Sequence, residues 1–468
     1  MIQYIKKRWS AESGYAEVLK ISLPLILSTG SWSLQHFVDR MFLTWYSPAA
    51  IAASMPAGLA NWTIISFFVG IAVYVNTFVA QYFGAKRPER IGPAVWQGIH
   101  FAAITAVAVV PFYFAAPALF TFFHHSAEVE KLEIVYFQIL LFGAPFVVIS
   151  NAISGFFSGL GKTWTVMWVN VAATAVNIVV DYVVIFGHAG FPEMGMAGAG
   201  WATVLAAVFS AILFFILMAR AKYNREYHTL SGWRLEQEMF RRLLRFGAPN
   251  GFHFVLEVFA FTIFIFLVGE VGLIELAASN IAFNINMLAF LPMFGLSIGI
   301  SVLVGQRLGE NRPDLAEKVT WSGFHLGFTF FTTLGIGYFL LPGLFIFPFA
   351  AQADPVTFAP IGELAAVLLQ FVALYSLADA GNMIFSGALK GAGDTRFVAL
   401  ASFAISWVFM LIPSILALYV FGLGIYALWA SVTMYVTGLC FSFWARFVKG
   451  KWKAMRVIET EAVKNTSE

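Results

Sequence analysis

Four carboxylates sit inside stretches of sequence that are otherwise apolar: Asp39, Asp181, Glu257 and Asp379. A carboxylate at the centre of a membrane helix costs roughly 2.5–3.5 kcal/mol on insertion scales, so four without partners would cost on the order of 10 kcal/mol. That rivals the whole stability of a folded domain. The acids must therefore be paired, protonated or matched with cations. Asn177 lies one turn before Asp181 on the same helix face, and Tyr375 one turn before Asp379. Asp39, Asn177, Asp181 and Thr203 make an oxygen-rich set that suits a hard cation such as Na+ or a proton shared between carboxyls.

Depth sorts the acids into pairs. Each is counted from the basic residue at one end of its segment, at about 1.5 Å per residue. Asp39 is 19 residues from Lys20 and Asp181 is 19 from Lys162, which puts both about 28 Å up. Thr203 is 17 residues from Arg220 and reaches about 26 Å, the same level. Glu257 is 12 residues from Arg245 and Asp379 is 11 from Lys390, so both fall about 17 Å up, near the midplane. One outer pair and one midplane pair result.

Apolar helices must carry these acids. The chain has 468 residues, 60% hydrophobic and 11% charged, with a mean hydropathy of +0.80. A soluble protein has roughly 25% charged residues, so this one lacks the means to cover a surface in water. Twelve apolar stretches, at 19–44, 52–79, 93–119, 132–158, 163–187, 195–218, 245–269, 276–305, 316–341, 360–388, 396–419 and 425–446, are long enough to cross a bilayer core. Their length requires helices, because a barrel strand needs only about ten residues. Of the 28 Lys and Arg, 26 fall on one side, leaving only Arg40 and Lys131 elsewhere. Both termini are therefore expected to be cytoplasmic and the spans even in number. The start, with Lys6-Lys7-Arg8, lacks a short apolar core and cleavage site. A single cysteine, Cys440, rules out an intramolecular disulfide.

The chain is also written twice. Ile51-Ala52-Ala53-Ser54-Met55 recurs as Leu276-Ala277-Ala278-Ser279-Asn280, and Gln81-Tyr82-Phe83-Gly84 as Gln306-Arg307-Leu308-Gly309, both at a spacing of 225. Phe156–Thr163 returns as Ala388–Thr395 at a spacing of 232. Two copies of one membrane unit are the layout of a secondary transporter. The expected organisation is an N-lobe at 1–218, a basic cytoplasmic linker at 219–244, a C-lobe at 245–450 and a cytoplasmic tail at 451–468. None of the four acids has an acidic counterpart in the other copy: they fall opposite Phe264, Pro413, Trp32 and Val147.

Other chemistries fade. Gly295-Leu296-Ser297-Ile298-Gly299 matches a nucleophile elbow, but that motif needs a strand–turn–helix setting and here lies within an apolar helix. Gly159-Leu160-Gly161-Lys162-Thr163 resembles the end of a phosphate loop, yet Phe156 stands where the first glycine belongs. No His/Cys cluster has catalytic-metal spacing. The chain is thus expected to be no enzyme, to use no cofactor and to bind no nucleic acid. Gly155-x-x-x-Gly159 and Gly387-x-x-x-Gly391 read as places of close helix approach.

The order of these residues resembles the multidrug and toxic compound extrusion (MATE) family along essentially the whole chain. Pro24, then Gln35-His36-Phe37-Val38-Asp39, is similar to that family's first helix. Asn177, Asp181 and Thr203 match its N-lobe polar set, while Glu257, Tyr375 and Asp379 match the C-lobe set of its NorM branch. Gly387-Ala388-Leu389-Lys390-Gly391-Ala392-Gly393-Asp394-Thr395 is close to its LRGxGDT-like turn. Asn151 and Asn170 stand where relatives carry cavity polar groups. The resemblance implies an all-α membrane protein of twelve transmembrane helices in two six-helix lobes. It implies a monomeric antiporter of a bacterial-type inner membrane, exporting amphipathic, often cationic drugs or dyes for inward Na+ or H+. Either acid set is then a candidate coupling site. The alternative is a lipid-linked saccharide flippase of the same broader superfamily. It would need basic cavity residues, and the membrane cores hold only Arg40.

Overall fold

Apolar runs leave the backbone no partner in lipid except itself, and the chain answers with helices throughout. The computed structural model describes residues 8–351 and 354–459 and contains no strand among them. Lys6, Lys7 and residues 460–468 of the expected tail lie outside the described residues. The first copy comprises α1 (Tyr15–Tyr46), α2 (Pro48–Val73), α3 (Val75–Gly84), α4 (Ile91–Ala108), α5 (Val110–Thr121), α6 (Ala127–Gly159), α7 (Thr163–Phe186) and α8 (Gly195–Met218). A short α9 (Ala221–Tyr227) follows. The second copy comprises α10 (Gln237–Val271), α11 (Leu273–Gly309), α12 (Pro313–Leu340), α13 (Pro342–Ala350), α14 (Pro355–Ala392), α15 (Thr395–Ile405), α16 (Ile412–Tyr419) and α17 (Ile425–Val448). A π-helical turn at Ser406–Leu411 joins α15 to α16.

The doubled sequence reappears in the helix ends. α2 starts at Pro48 and α11 at Leu273, α3 ends at Gly84 and α11 at Gly309, both at the spacing of 225. α7 and α15 start at Thr163 and Thr395, at the spacing of 232. Local chemistry sets several ends. The Ser47 hydroxyl accepts from Ala50 N ahead of Pro48, and the Asp354 carboxylate caps α14 through Thr357 N. Gly393 ends α14 at φ 103°, a conformation that glycine adopts without strain.

Eleven helical spans are long and apolar enough to cross a membrane among the described residues. The remaining expected span is α1, which is 32 residues long and the most polar of the long helices. It carries Thr29, Ser31, Ser33, Gln35, His36, Asp39 and Arg40. The helix that holds Asp39 is thus the one that departs from the apolar rule.

The chain forms two compact units. The first holds Leu27–Val255, Gly309–Asn311 and 456–459; the second holds 8–26, Leu256–Leu308 and 312–455. Both α1 and α10 therefore change unit along their length, α1 between Ile26 and Leu27 and α10 between Val255 and Leu256. Each helix also contains a proline, Pro24 in α1 and Pro249 in α10.

Within the second unit, the lower part of α1 is firmly seated. Tyr15 Oη lies 3.0 Å from His325 Nδ1, Ser322 Oγ donates to Ser13 O at 3.0 Å, and Arg307 pairs with Glu17 at 2.6 Å. The glycines of the elbow-like motif serve this packing. A Cβ on Gly295 would lie 2.7 Å from Ile26 N, and one on Gly299 would collide with Ser22 Oγ. Both GxxxG motifs mark close approach as well: Gly155 and Gly159 admit α3, and Gly387 and Gly391 admit α11. In the first unit, the segment after α9 is docked on α4. Trp96 Nε1 donates to Thr229 O at 2.7 Å, and Gln97 Nε2 donates to Arg234 O at 3.3 Å.

Candidate functional site

In the first unit, α1 and α7 face each other along a polar seam with an offset of 142 or 143 residues. Asn170 Nδ2 donates to Ser28 Oγ at 2.5 Å, and Thr174 Oγ1 donates to Ser31 O at 3.4 Å. Higher up, the carboxyl of Asp39 meets that of Asp181. These partners differ by 142, 143 and 142 residues, and Gln35 and Asn177 share the 142 offset. The three–four spacing of 28, 31, 35, 39 and of 170, 174, 177, 181 keeps each polar set on one helix face.

This outer site is buried. Asp39 is 6% exposed, and Asp181 and Asn177 are 0%. Asn177 lies toward Asp181, one turn away. Yet both side-chain atoms of Asn177, both oxygens of Asp181 and Oδ1 of Asp39 complete no hydrogen bond. Tyr136 of α6 faces both acids, and its hydroxyl meets the Thr203 side chain of α8. The four expected residues are thus gathered, three directly and Thr203 through Tyr136. Two buried carboxyls that meet, with no hydrogen bond completed at Asp39 Oδ1 or at either Asp181 oxygen, cannot both remain bare anions. The set fits a small hard cation or a shared proton, with the carboxyl oxygens and the Asn177 amide oxygen as ligands of the right kind.

In the second unit, Glu257 of α10 and Asp379 of α14 lie close enough for their charges to act on each other. Asn382 Nδ2 donates to Asp379 Oδ1 at 2.9 Å. Tyr375 is buried beside Asp379. Tyr435 of α17 faces both Glu257 and Asp379, and the charge of Lys390 also acts on Glu257. Each set thus has a cation acting on it, Lys390 on Glu257 here and Arg40 on Asp39 in the outer set.

The other expected residues have local partners. Asn151 Nδ2 donates to Val147 O of its own helix at 2.8 Å. Asn170 is tied to Ser28, and Gln35 is buried on the seam. Pro24 lies inside the unbroken α1. Tyr136, Asn382, Lys390 and Tyr435 escaped the reading of the sequence. Asn382 was accessible from its i+3 spacing to Asp379. Lys390 served only as the edge from which depth was counted. The two tyrosines, among 15 in the chain, have no charge or spacing to single them out.

A protein-family model described as MatE matches residues 24–183 and 249–416. A probable multidrug resistance protein NorM of Thermotoga maritima is 27% identical over 461 residues, covering 96% of this chain and 95% of that protein. Its counterpart in Shewanella oneidensis is 28% identical over 386 residues, covering 81% and 82%. Among solved structures, a transporter of the MOP superfamily from Pyrococcus furiosus superposes with a TM-score of 0.83 at 19% identity, covering 96% of this chain and 98% of that one. A eukaryotic MATE transporter gives 0.81 at 16% identity, covering 94% and 96%. At those identities the structures establish the fold alone.

Proposed function

The chain belongs to the MatE family of multi-pass membrane transporters, and from that premise we propose that it is a secondary active multidrug efflux antiporter. It exports amphipathic, often cationic compounds in exchange for inward Na+ or H+, acting as a monomer in a bacterial-type cytoplasmic membrane with both termini inside. The NorM relatives support the substrate class, since multidrug resistance is what their names record. The basic residues crowded on one side support the orientation.

One observation carries the coupling proposal: Asp39 and Asp181 meet in a buried site where Asp39 Oδ1 and both Asp181 oxygens complete no hydrogen bond. A cation or proton that neutralises the pair removes the cost of keeping two charges there. A coupling ion must bind two conformations with different affinity, or no exchange follows. α1 is the element suited to express that difference. Pro24 has no N–H to give the Lys20 carbonyl, so the helix lacks one rung where bending is cheapest. Two residues later α1 passes from one unit to the other. In this mechanism, loading of the acids repacks the upper part of α1 against α7, and the substrate site loses its affinity as α1 moves.

The test is dye efflux from vesicles with the Na+ and pH gradients imposed separately. Asp39→Asn is expected to abolish efflux with expression intact; full efflux by that variant would overturn the outer site. Glu257→Gln and Asp379→Asn form the second arm. If they remove Na+ stimulation while Asp39→Asn does not, coupling belongs to the second unit.

A further inference from the structure

Beyond the last long helix, the chain returns to the first unit and ends its described course in a built site. Glu459 places its carboxylate among three guanidinium groups. Arg242 of α10 and Arg90 both reach Oε1, the latter at 3.2 Å, and Arg87 lies 3.4 Å from Oε2. The Tyr82 hydroxyl of α3 donates to Oε2 at 2.8 Å. Arg87 also stacks over the Tyr82 ring, 5.6 Å from its centre. The approach of the tail is fixed two residues earlier, where Val457 N donates to the buried Gln81 Oε1 at 2.8 Å. Arg456 adds a bond to Asn311 Oδ1 at 3.3 Å.

Nothing in the exchange of drug for cation requires these residues, yet they make a specific receptor. Three arginines from the turn after α3 and the first turns of α10 converge on one anion, with a phenol completing the set. Arginine forks of this kind recognise carboxylates and other oxyanions through charge-assisted hydrogen bonds. The counter-charges around them are shared: Arg90 also pairs with Glu236 at 2.9 Å and Arg87 with Glu89 at 3.9 Å. Withdrawal of Glu459 would leave three guanidiniums with two acids.

We propose that Tyr82, Arg87, Arg90 and Arg242 form a carboxylate-binding site whose ligand is the chain's own Glu459, and that this docked tail is a latch restraining the transport cycle. The tail leaves α17 in the second unit and is anchored in the first, so it is a covalent tether between them. A step that lengthens the path from Val448 to the receptor has to draw Glu459 out. The docked carboxylate thereby stabilises one stage of the cycle and slows departure from it. This rests on the transporter reading, but its structural half can be measured without transport.

The experiment uses a full-length chain with Cys440→Ser, carrying spin labels on Ile458→Cys and Lys222→Cys, two positions within the first unit. Docking gives a single narrow distance distribution, and Glu459→Gln broadens it. Efflux turnover at saturating dye is expected to rise about threefold or more in Glu459→Gln, an effect of the size set by a few charge-assisted hydrogen bonds. Arg242→Gln is expected to do the same, and the double variant no more than either, because both remove one interaction. The latch is overturned if the distribution stays narrow in Glu459→Gln, or if it broadens while turnover is unchanged. An inactive Asp39→Asn protein still reports the distances, so failure of the coupling proposal and failure of the latch read differently.

Discussion

At the scale of single residues, charge environment separates the roles of the acids. Glu459 is exposed to three arginines; burial alone would push its carboxyl up, but hydrogen bonds from Arg242 and Tyr82 hold it at about 2, below its ordinary 4.5. A group whose value is depressed in the docked state contributes fully above its ordinary value and loses that contribution as pH falls toward the lowered one. The window of loss therefore runs from about 4.5 down to about 2. Spin-label distances across the tail site are expected to stay constant from about pH 8 to about pH 5. A shift within that range would mean that another group governs docking. Tyr82, Arg87, Arg90, Arg242, Glu236 and Glu89 are the charged or titratable groups around it. Any pH dependence of transport near neutrality then does not originate in Glu459.

At the scale of elements, small residues decide where helices touch. A Cβ added to Gly251 in α10 would lie 2.4 Å from Phe67 O, a backbone atom that cannot swing aside. Gly251→Val is expected to destabilise the protein by about 2–3 kcal/mol, the upper range for overpacking. Gly30 in α1 is the matched control, since a Cβ there meets nothing within 4 Å. Gly30→Ala is expected to hold stability or raise it by up to about 1 kcal/mol through helix propensity. Thermal melting of the purified variants checks both; equal midpoints would refute the packing argument. Much of this level was legible in the sequence. The 225 and 232 spacings of the sequence repeat return in the helix ends at Gly84 and Gly309 and at Thr163 and Thr395, although the apolar spans alone stopped at 79 and 305. The common depth of Asp39 and Asp181 anticipated that their carboxyls meet. Other features left no trace there. Hydropathy measures how long a segment is and not what it packs against, so nothing marked the passage of α1 and α10 from one unit to the other. Lys390 looked like a border residue because its position was judged from its charge, although that charge acts on Glu257.

At the scale of the whole molecule, the most consequential feature is how the chain is divided between its units. A cut at the basic 219–244 linker would separate the sequence copies but not the packed units, because 8–26 belong with Leu256–Leu308, and 456–459 with Leu27–Val255. Two fragments severed within that linker are therefore expected to restore dye efflux when co-produced, and to co-purify. Either fragment alone is expected to lack a cooperative thermal transition; a sharp one would show that a copy is self-sufficient. The same division sets an order of events during manufacture in the cell. Tyr15 and Ser13 leave the ribosome ahead of their partners His325 and Ser322, which follow 310 and 309 residues later. Glu17 likewise waits 290 residues for Arg307. The lower end of α1 therefore stays without these particular partners until some three hundred further residues have been made.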